Sequence, residues 1–317
     1  MNAFFHIGRP KTGSTTLQAF LHENAEALAR QGVLYRRFEP LRVTQWEFPL
    51  AALTAEGVFV KEQNVRARLR LRTLEDQAAY VARGLAAVKA TLAEAPAHIR
   101  HWVGSSEHAY PFLRTPALVA AFDKVMTSLF DQVRYIVYLR RQEDLIPSAY
   151  VEAVRRGTTE DLDSFVERYL QNDYANHMTR LQNWRDVVGA ARMDVRLLER
   201  DVLKDGDLIA DFCGLCDIDP AGLHRPADEN SGLSAAALRR LMVLNRMIGG
   251  RTGVRWRLRK WLTQLIAAPT DRDARLRLSP AMTARVRAHA AAGNEAVRAA
   301  FFPDRAELFP ARGAQVS

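Results

Sequence analysis

The sequence predicts an α/β fold of three layers, a central parallel sheet flanked by helices, with a helical C-terminal region appended. Three observations predict it. The chain opens on an apolar strand that runs into a glycine-bearing turn and a hydroxyl-led helix start, Phe4-Phe5-His6-Ile7-Gly8-Arg9-Pro10-Lys11-Thr12-Gly13-Ser14-Thr15-Thr16-Leu17. Val133 to Leu139 is a nearly uninterrupted apolar run, the pattern of a strand covered on both faces. Other short apolar runs alternate with helical periodicities, the order that builds a parallel sheet through crossovers. With 317 residues, 48% hydrophobic and 26% charged, the chain can bury a full core, and one domain over 1–317 is expected.

The elements follow in order. Leu17, Phe20, Leu21 and Leu28 mark one helical face, ended by Gly32. Residues 33–72 read as an irregular insertion, with Pro40, Pro49 and a basic cluster at Arg66, Arg68, Arg70 and Arg72. Thr73-Leu74-Glu75-Asp76 has the form of a capping box, and Val81, Leu85, Val88 and Leu92 continue a helix that stops before Pro96. A strand from Ile99 to Gly104 ends in the polar cluster Ser105-Ser106-Glu107-His108. Residues 116–130 are predicted helical, and the strand Val133–Leu139 stops at Arg140 and Arg141. The next helix carries Ser148 and Tyr150, with Pro147 fixing its start or a kink. A helix around Leu181 to Val188 precedes a fourth strand at Asp194 to Leu198. Cys213 and Cys216 continue the helical pattern of Leu208, Ile209 and Phe212, so they read as buried structural thiols. Two cysteines make no disulfide framework, and no two further zinc ligands stand nearby. Residues 231–317 form an Ala/Arg-rich helical extension with breaks at Gly249-Gly250 and Pro269. No internal repeat is present.

Gly8 and Gly13 keep the glycine spacing of a phosphate loop, which makes the fold P-loop-like. Unpaired N–H groups of a helix's first turn, its positive dipole end and the hydroxyls of Ser14, Thr15 and Thr16 would converge on an anion. The lysine of a nucleotide kinase directly follows the second glycine. Here Ser14 holds that position, and Lys11 lies three residues earlier, inside the loop. Pro10 to Thr15 instead reads proline, lysine, threonine, glycine and two hydroxyl residues. In this the chain resembles the 3'-phosphoadenylyl sulfate (PAPS) dependent sulfotransferases, and among them the bacterial sulfotransferase-like branch. The resemblance implies that Arg9, Pro10, Lys11, Thr12, Gly13, Ser14, Thr15 and Thr16 bind the 5'-phosphosulfate, that Lys11 is also catalytic, and that no metal is required. No carboxylate pattern of a metal-dependent NTPase is evident.

A second family element is a strand, an arginine at its end and a serine eight residues on, matched by Arg140 and Ser148. The resemblance gives this pair the 3'-phosphate, which a forked guanidinium and a hydroxyl suit chemically. It extends over most of residues 3–200, and Asn230-Ser231-Gly232-Leu233-Ser234 and the stretch from Gly293-Asn294-Glu295 to Phe309 look similar to that group as well. The base stays open among three residues. Cytosolic small-molecule enzymes of the family place a catalytic histidine where this chain has Ser106-Glu107-His108, whereas several glycan sulfotransferases use a glutamate after the first helix, where Glu47 stands in Gln45-Trp46-Glu47-Phe48. Both residue types accept a hydroxyl proton when positioned for it. The segment that closes over the 3'-phosphate in cytosolic enzymes has at best a remote counterpart in Arg251-Thr252-Gly253. The function expected is sulfuryl transfer from PAPS to a hydroxyl or amine of a small-molecule or glycan acceptor, a carbohydrate or glycolipid, with residues 33–72 on the acceptor side. The rivals are a P-loop nucleotide kinase or NTPase and a non-catalytic anion-binding module.

The net charge of +9 favours an anionic partner. Much of it is local, in Arg239, Arg240, Arg246, Arg251, Arg255, Arg257, Arg259, Lys260, Arg272 and Arg275, interleaved with Trp256 and Trp261. A solvated helical face with inward tryptophans accounts for that pattern. So do an acidic acceptor, the 3'-phosphate and peripheral contact with a membrane through basic helices. Nucleic acid is not expected, since no nucleic-acid-binding motif accompanies the charge. No signal-peptide pattern or membrane-spanning run is seen, and a cytoplasmic location is expected.

Overall fold

The computed structural model describes all residues except 39–43, 173, 227–232, 249–260, 267–275 and 312–317. Two compact units are present, Met1–Leu139 with Thr179–Ala227, and Arg140–Met178 with Asp228–Ser317. The chain runs β1 (Asn2–His6), α1 (Ser14–Glu23), α2 (Ala25–Arg30), β2 (Val33–Leu34), α3 (Glu47–Ala55), α4 (Gln63–Leu69), α5 (Leu74–Ala93), β3 (His101–Ser105), α6 (Ala109–Phe112), α7 (Pro116–Thr127) and β4 (Gln132–Leu139). It continues through α8 (Gln142–Arg155), α9 (Leu162–Leu170), α10 (His177–Val188), β5 (Met193–Leu197), α11 (Leu208–Leu215), α12 (Ala235–Met247), the helical residues 261–266 (α13) and α14 (Pro280–Phe301).

In the first unit the five strands pair in the order β2-β3-β1-β4-β5, all parallel. β1 is the central strand, paired on one side with β3 and on the other with β4. The period of two sorts its side chains between two cores. Phe4 joins Leu17, Phe20, Leu21 and Phe212 beneath α1 and α11. Phe5 points the other way, its ring 5.5 Å from Phe48 of α3, 5.1 Å from Phe122 of α7 and 6.1 Å from Trp102 of β3. Helices therefore cover both faces, and the three-layer parallel α/β architecture is the one the sequence predicts. In the second unit α8, α9, α12 and α14 share a core that includes Ile146, Phe165, Leu241 and Val286.

The capping box is present, with Asp76 N donating to Thr73 Oγ1 at 3.2 Å and Thr73 N to Asp76 Oδ2 at 3.2 Å. Residues 33–72 are not irregular. They contain β2, α3 and α4, and α3 escapes a periodicity reading because Glu47 to Leu53 are buried all round the helix. Pro49 fits there as its third residue, where the missing N–H is one the first turn leaves unpaired in any case. The helix from Ser14 is interrupted at Asn24, whose side chain donates to Phe20 O and His224 O and accepts from His224 N at 2.7 Å. That clamp breaks the single helix expected to Gly32 into α1 and α2. Pro147 lies inside α8, five residues after its start. Pro40, the breaks at Gly249-Gly250 and Pro269, and the Arg251-Thr252-Gly253 segment lie outside the described residues.

Candidate functional site

The glycine loop leaves the carboxyl end of the central strand, where parallel sheets bind ligands. Ile7 N donates to Ile136 O at 2.9 Å, Gly8 N to Ser106 O at 3.1 Å, and Ser106 N to His6 O at 3.0 Å, so sheet pairing carries on to the loop's first residue. A β-carbon on Gly8 would lie 2.7 Å from Ser14 Oγ, closer than real contacts allow, and a tight 3.0 Å from Glu107 Cα. Glycine at this position lets the loop close over the Ser106–His108 turn. Lys11 and Gly13 both take left-handed backbone conformations, φ 70° and 89°, a curl of the kind that gathers successive amides into an anion-binding concavity. Gly13 caps α1 without a side chain, so the first-turn N–H groups receive no side-chain cap.

The hydroxyls divide into two sets. Thr12 Oγ1 donates to Arg9 O at 2.7 Å and Ser14 Oγ to the same carbonyl at 3.4 Å, so these two brace the loop from within. Thr15 is exposed and Thr16 half-buried, as is Lys11, and Pro10 is exposed. Arg9 is buried, its guanidinium 5.5 Å from the centre of the Tyr110 ring.

Below the loop lies a residue that sequence reasoning did not assign. His6 is fully buried, and its Nδ1 is 2.9 Å from Ser105 Oγ, which also accepts from Gln18 Nε2 at 3.2 Å. Ser105 Oγ thus links the His6 ring to the Gln18 side chain of α1. Burial pulls the imidazole down to about 3, so it is neutral at physiological pH. The only signal in the sequence was a polar side chain in an otherwise apolar strand.

The structure brings the competing base segments together. Gln45 N donates to Ser105 O at 3.3 Å, Ser105 N to Gln45 Oε1 at 2.8 Å, and Thr44 Oγ1 to Ser106 Oγ at 3.2 Å. Trp46 stacks on His108 with ring centres 3.6 Å apart. Glu47 is 2% exposed, and α5 approaches so closely that a β-carbon on Gly84 would lie 2.8 Å from Glu47 Cβ. Its Oε1 has no hydrogen-bond partner, and burial pushes the carboxyl up to about 8. Glu107 and His108 are both half-buried, and Glu107 Cα lies against Gly8.

Arg140 and Ser148 belong to the second unit, both half-buried, with Ser148 in the second turn of α8. Their surroundings include residues the sequence did not single out. His177 Nε2 donates to Arg140 O at 3.0 Å. Arg141 is buried, donates to Pro310 O and lies over the Phe309 ring at 5.4 Å. Gln142 and Asn294 exchange side-chain amide bonds of 2.7 and 3.2 Å, and Gln142 also donates to Ala175 O. The C-terminal stretch that looked family-like thus holds the side chains of Arg141 and Gln142, next in sequence to Arg140. Gly293 of that stretch is closely packed too, since a β-carbon there would lie 2.5 Å from Asn176 Oδ1.

No protein-family model matches the chain. The crystal structure of a sulfotransferase from Alicyclobacillus acidocaldarius superposes on it with a TM-score of 0.51 and 14% identity, covering 94% of each chain. The chain therefore has a sulfotransferase-like fold. An uncharacterized protein of Archaeoglobus fulgidus is 25% identical over 133 residues, 42% of this chain and 36% of that protein, so the likeness spans about a third of the relative's length. Among the described residues no helix is long and apolar enough to cross a membrane, and no group of three His, Cys, Asp or Glu side chains is placed to hold a metal ion.

Proposed function

We propose that the chain is a PAPS-dependent sulfotransferase acting on a hydroxyl or amine of a carbohydrate or glycolipid. The observation that carries this is the loop at the end of β1. Its lysine sits within the curl, at Lys11, while the kinase lysine position is taken by Ser14, buried and bonded to the loop's own backbone. The residues present suit a 5'-phosphosulfate: a left-handed curl, an uncapped helix start and one cation. Lys11 then faces the oxygen that bridges phosphorus and sulfur. As the acceptor's oxygen or nitrogen bonds to sulfur, the bond from sulfur to that bridging oxygen breaks, adenosine 3',5'-bisphosphate departs, and Lys11 stabilises the charge left on it. Alignment and electrostatics supply most of the rate, as in phosphoryl transfer.

His108 is our choice to take the acceptor's proton. It follows Glu107, whose Cα abuts Gly8, its ring plane is set by Trp46, and imidazole is the side chain whose ordinary titration brackets neutral pH. Glu47 is sealed from solvent, so an acceptor hydroxyl meets it only after a rearrangement. Arg140 and Ser148 are assigned the 3'-phosphate on the pattern of strand, arginine and serine. A cytoplasmic location accords with use of an activated nucleotide.

Turnover of labelled PAPS across an acceptor panel, with calorimetry of adenosine 3',5'-bisphosphate against ATP and Mg²⁺, tests the proposal. Tighter binding of ATP would sink it in favour of a nucleotide kinase or NTPase. Bisphosphate binding without turnover on any acceptor would favour the anion-binding module. Arg140→Ala should weaken the bisphosphate by about tenfold or more while leaving adenosine 5'-phosphate nearly unchanged. Equal losses would remove Arg140 from the 3'-phosphate.

A further inference from the structure

The second unit carries a surface that the transfer chemistry does not use. At ~100° per residue, α12 divides cleanly. Ala237, Leu238 and Leu241 are in the core of that unit, and Asn245 Nδ2 donates to Val154 O at 2.8 Å and Thr158 O at 2.9 Å, which fixes the inner face. The outer arc consists of Ala236, Arg239, Arg240, Val243, Arg246 and Met247, all exposed, with Met247 79% and Val243 53% open to solvent. α13 repeats the arrangement, with Ile266 packed on the same core and Trp261 and Leu265 more than half exposed one turn apart.

Charge settles what would cover these side chains. Within the described residues 233–248 and 261–266 the charged side chains are Arg239, Arg240 and Arg246, and no carboxylate is among them. From a neighbouring element, Asp161 interacts electrostatically with Arg246 and also caps α9. A polyanionic glycan or nucleic acid would satisfy the arginines and leave Val243, Met247, Trp261 and Leu265 in water. An anionic bilayer surface satisfies both, because its headgroups pair with the guanidiniums while the apolar side chains enter the acyl boundary. No described helix can span a bilayer, so the contact lies in its plane.

We propose that α12 and α13 form a membrane-surface binding face selective for anionic lipid. This holds whichever reaction the chain catalyses. The test is flotation of the full-length protein with phosphatidylcholine vesicles, with and without phosphatidylglycerol, while tryptophan emission is followed. Binding is expected only with phosphatidylglycerol, accompanied by a blue shift that Trp261→Phe removes. Arg239→Gln with Arg240→Gln should weaken binding by about thirtyfold. Met247→Ser with Trp261→Ser should weaken it by a comparable factor at unchanged charge. All four positions are exposed, and circular dichroism verifies that the variants stay folded. Failure to float with phosphatidylglycerol overturns the proposal. So does binding that ignores the apolar pair and is matched by a DNA oligonucleotide, which would mark a general polyanion surface.

Discussion

Lys11 combines an unusual conformation with an unusual place. A side chain at φ 70° costs roughly 1 kcal/mol that glycine avoids. Lys11→Gly therefore separates chemistry from folding. The variant should melt at or above the wild-type temperature, lose at least about a hundredfold in turnover, and bind adenosine 3',5'-bisphosphate less than about tenfold more weakly. Turnover within tenfold of wild type would show that the lysine has no transition-state role. Glu47 makes a different kind of prediction. Burial raises its native pKa to about 8, well above the unfolded value near 4.3. The native state thus holds a proton that the unfolded chain has released, so the stability from this group is full below pH ~4 and is lost as pH rises to about 8. Glu47→Gln abolishes that titration. It should gain ~4–5 kcal/mol on wild type at pH 8.5 relative to pH 4, read from urea melts at both values. A difference independent of pH would mean that Glu47 is not a buried neutral acid.

Among the elements, the β1 loop was readable because glycines and hydroxyls leave a spacing in the sequence that only a strand, turn and helix start can use. The bracing by Thr12 and Ser14, and the Ser105 bond to His6, were not readable, since each depends on which atoms the closed loop brings within reach. α3 was missed for a related reason. Its burial comes from α5 and α7 on several sides, so its residues lack the polar stripe that marks a surface helix. The clasp on Arg141 and Gln142 includes Asn294, more than a hundred residues along the chain, and only the resemblance of its stretch hinted at a role. Asn294→Ala should loosen the Gln142 side of that clasp without touching a ligand. Bisphosphate affinity is then expected to fall roughly tenfold while adenosine 5'-phosphate affinity holds, a split that simple destabilisation would not produce. Parallel losses for the two nucleotides, or no change in either, would dismiss Asn294 as a positioning residue.

At the scale of the whole molecule, the parallel sheet was legible because strands covered on both faces read as apolar runs, Val133–Leu139 above all. β2 was not, because a strand of two residues, Val33 and Leu34, lies below any periodicity. Net charge was legible as well, and it bears on ligand binding. A chain at +9 that binds a multiply charged nucleotide gains part of its affinity from a field that salt screens, with a Debye length of ~10 Å at 0.1 M. Adenosine 3',5'-bisphosphate at a hundred times its Kd should stabilise the native state by ~2.7 kcal/mol, about 4 °C in Tm for a chain of this length. At fixed ligand concentration that shift should shrink steadily as salt is raised from low values. It should shrink less steeply in the Lys11→Gly variant, which lacks one of the screened charges. Thermal melts over a salt series measure both slopes. A wild-type shift indifferent to salt would mean that burial and hydrogen bonding, rather than charge, hold the nucleotide, and equal slopes in the two proteins would take Lys11 out of contact with its phosphates.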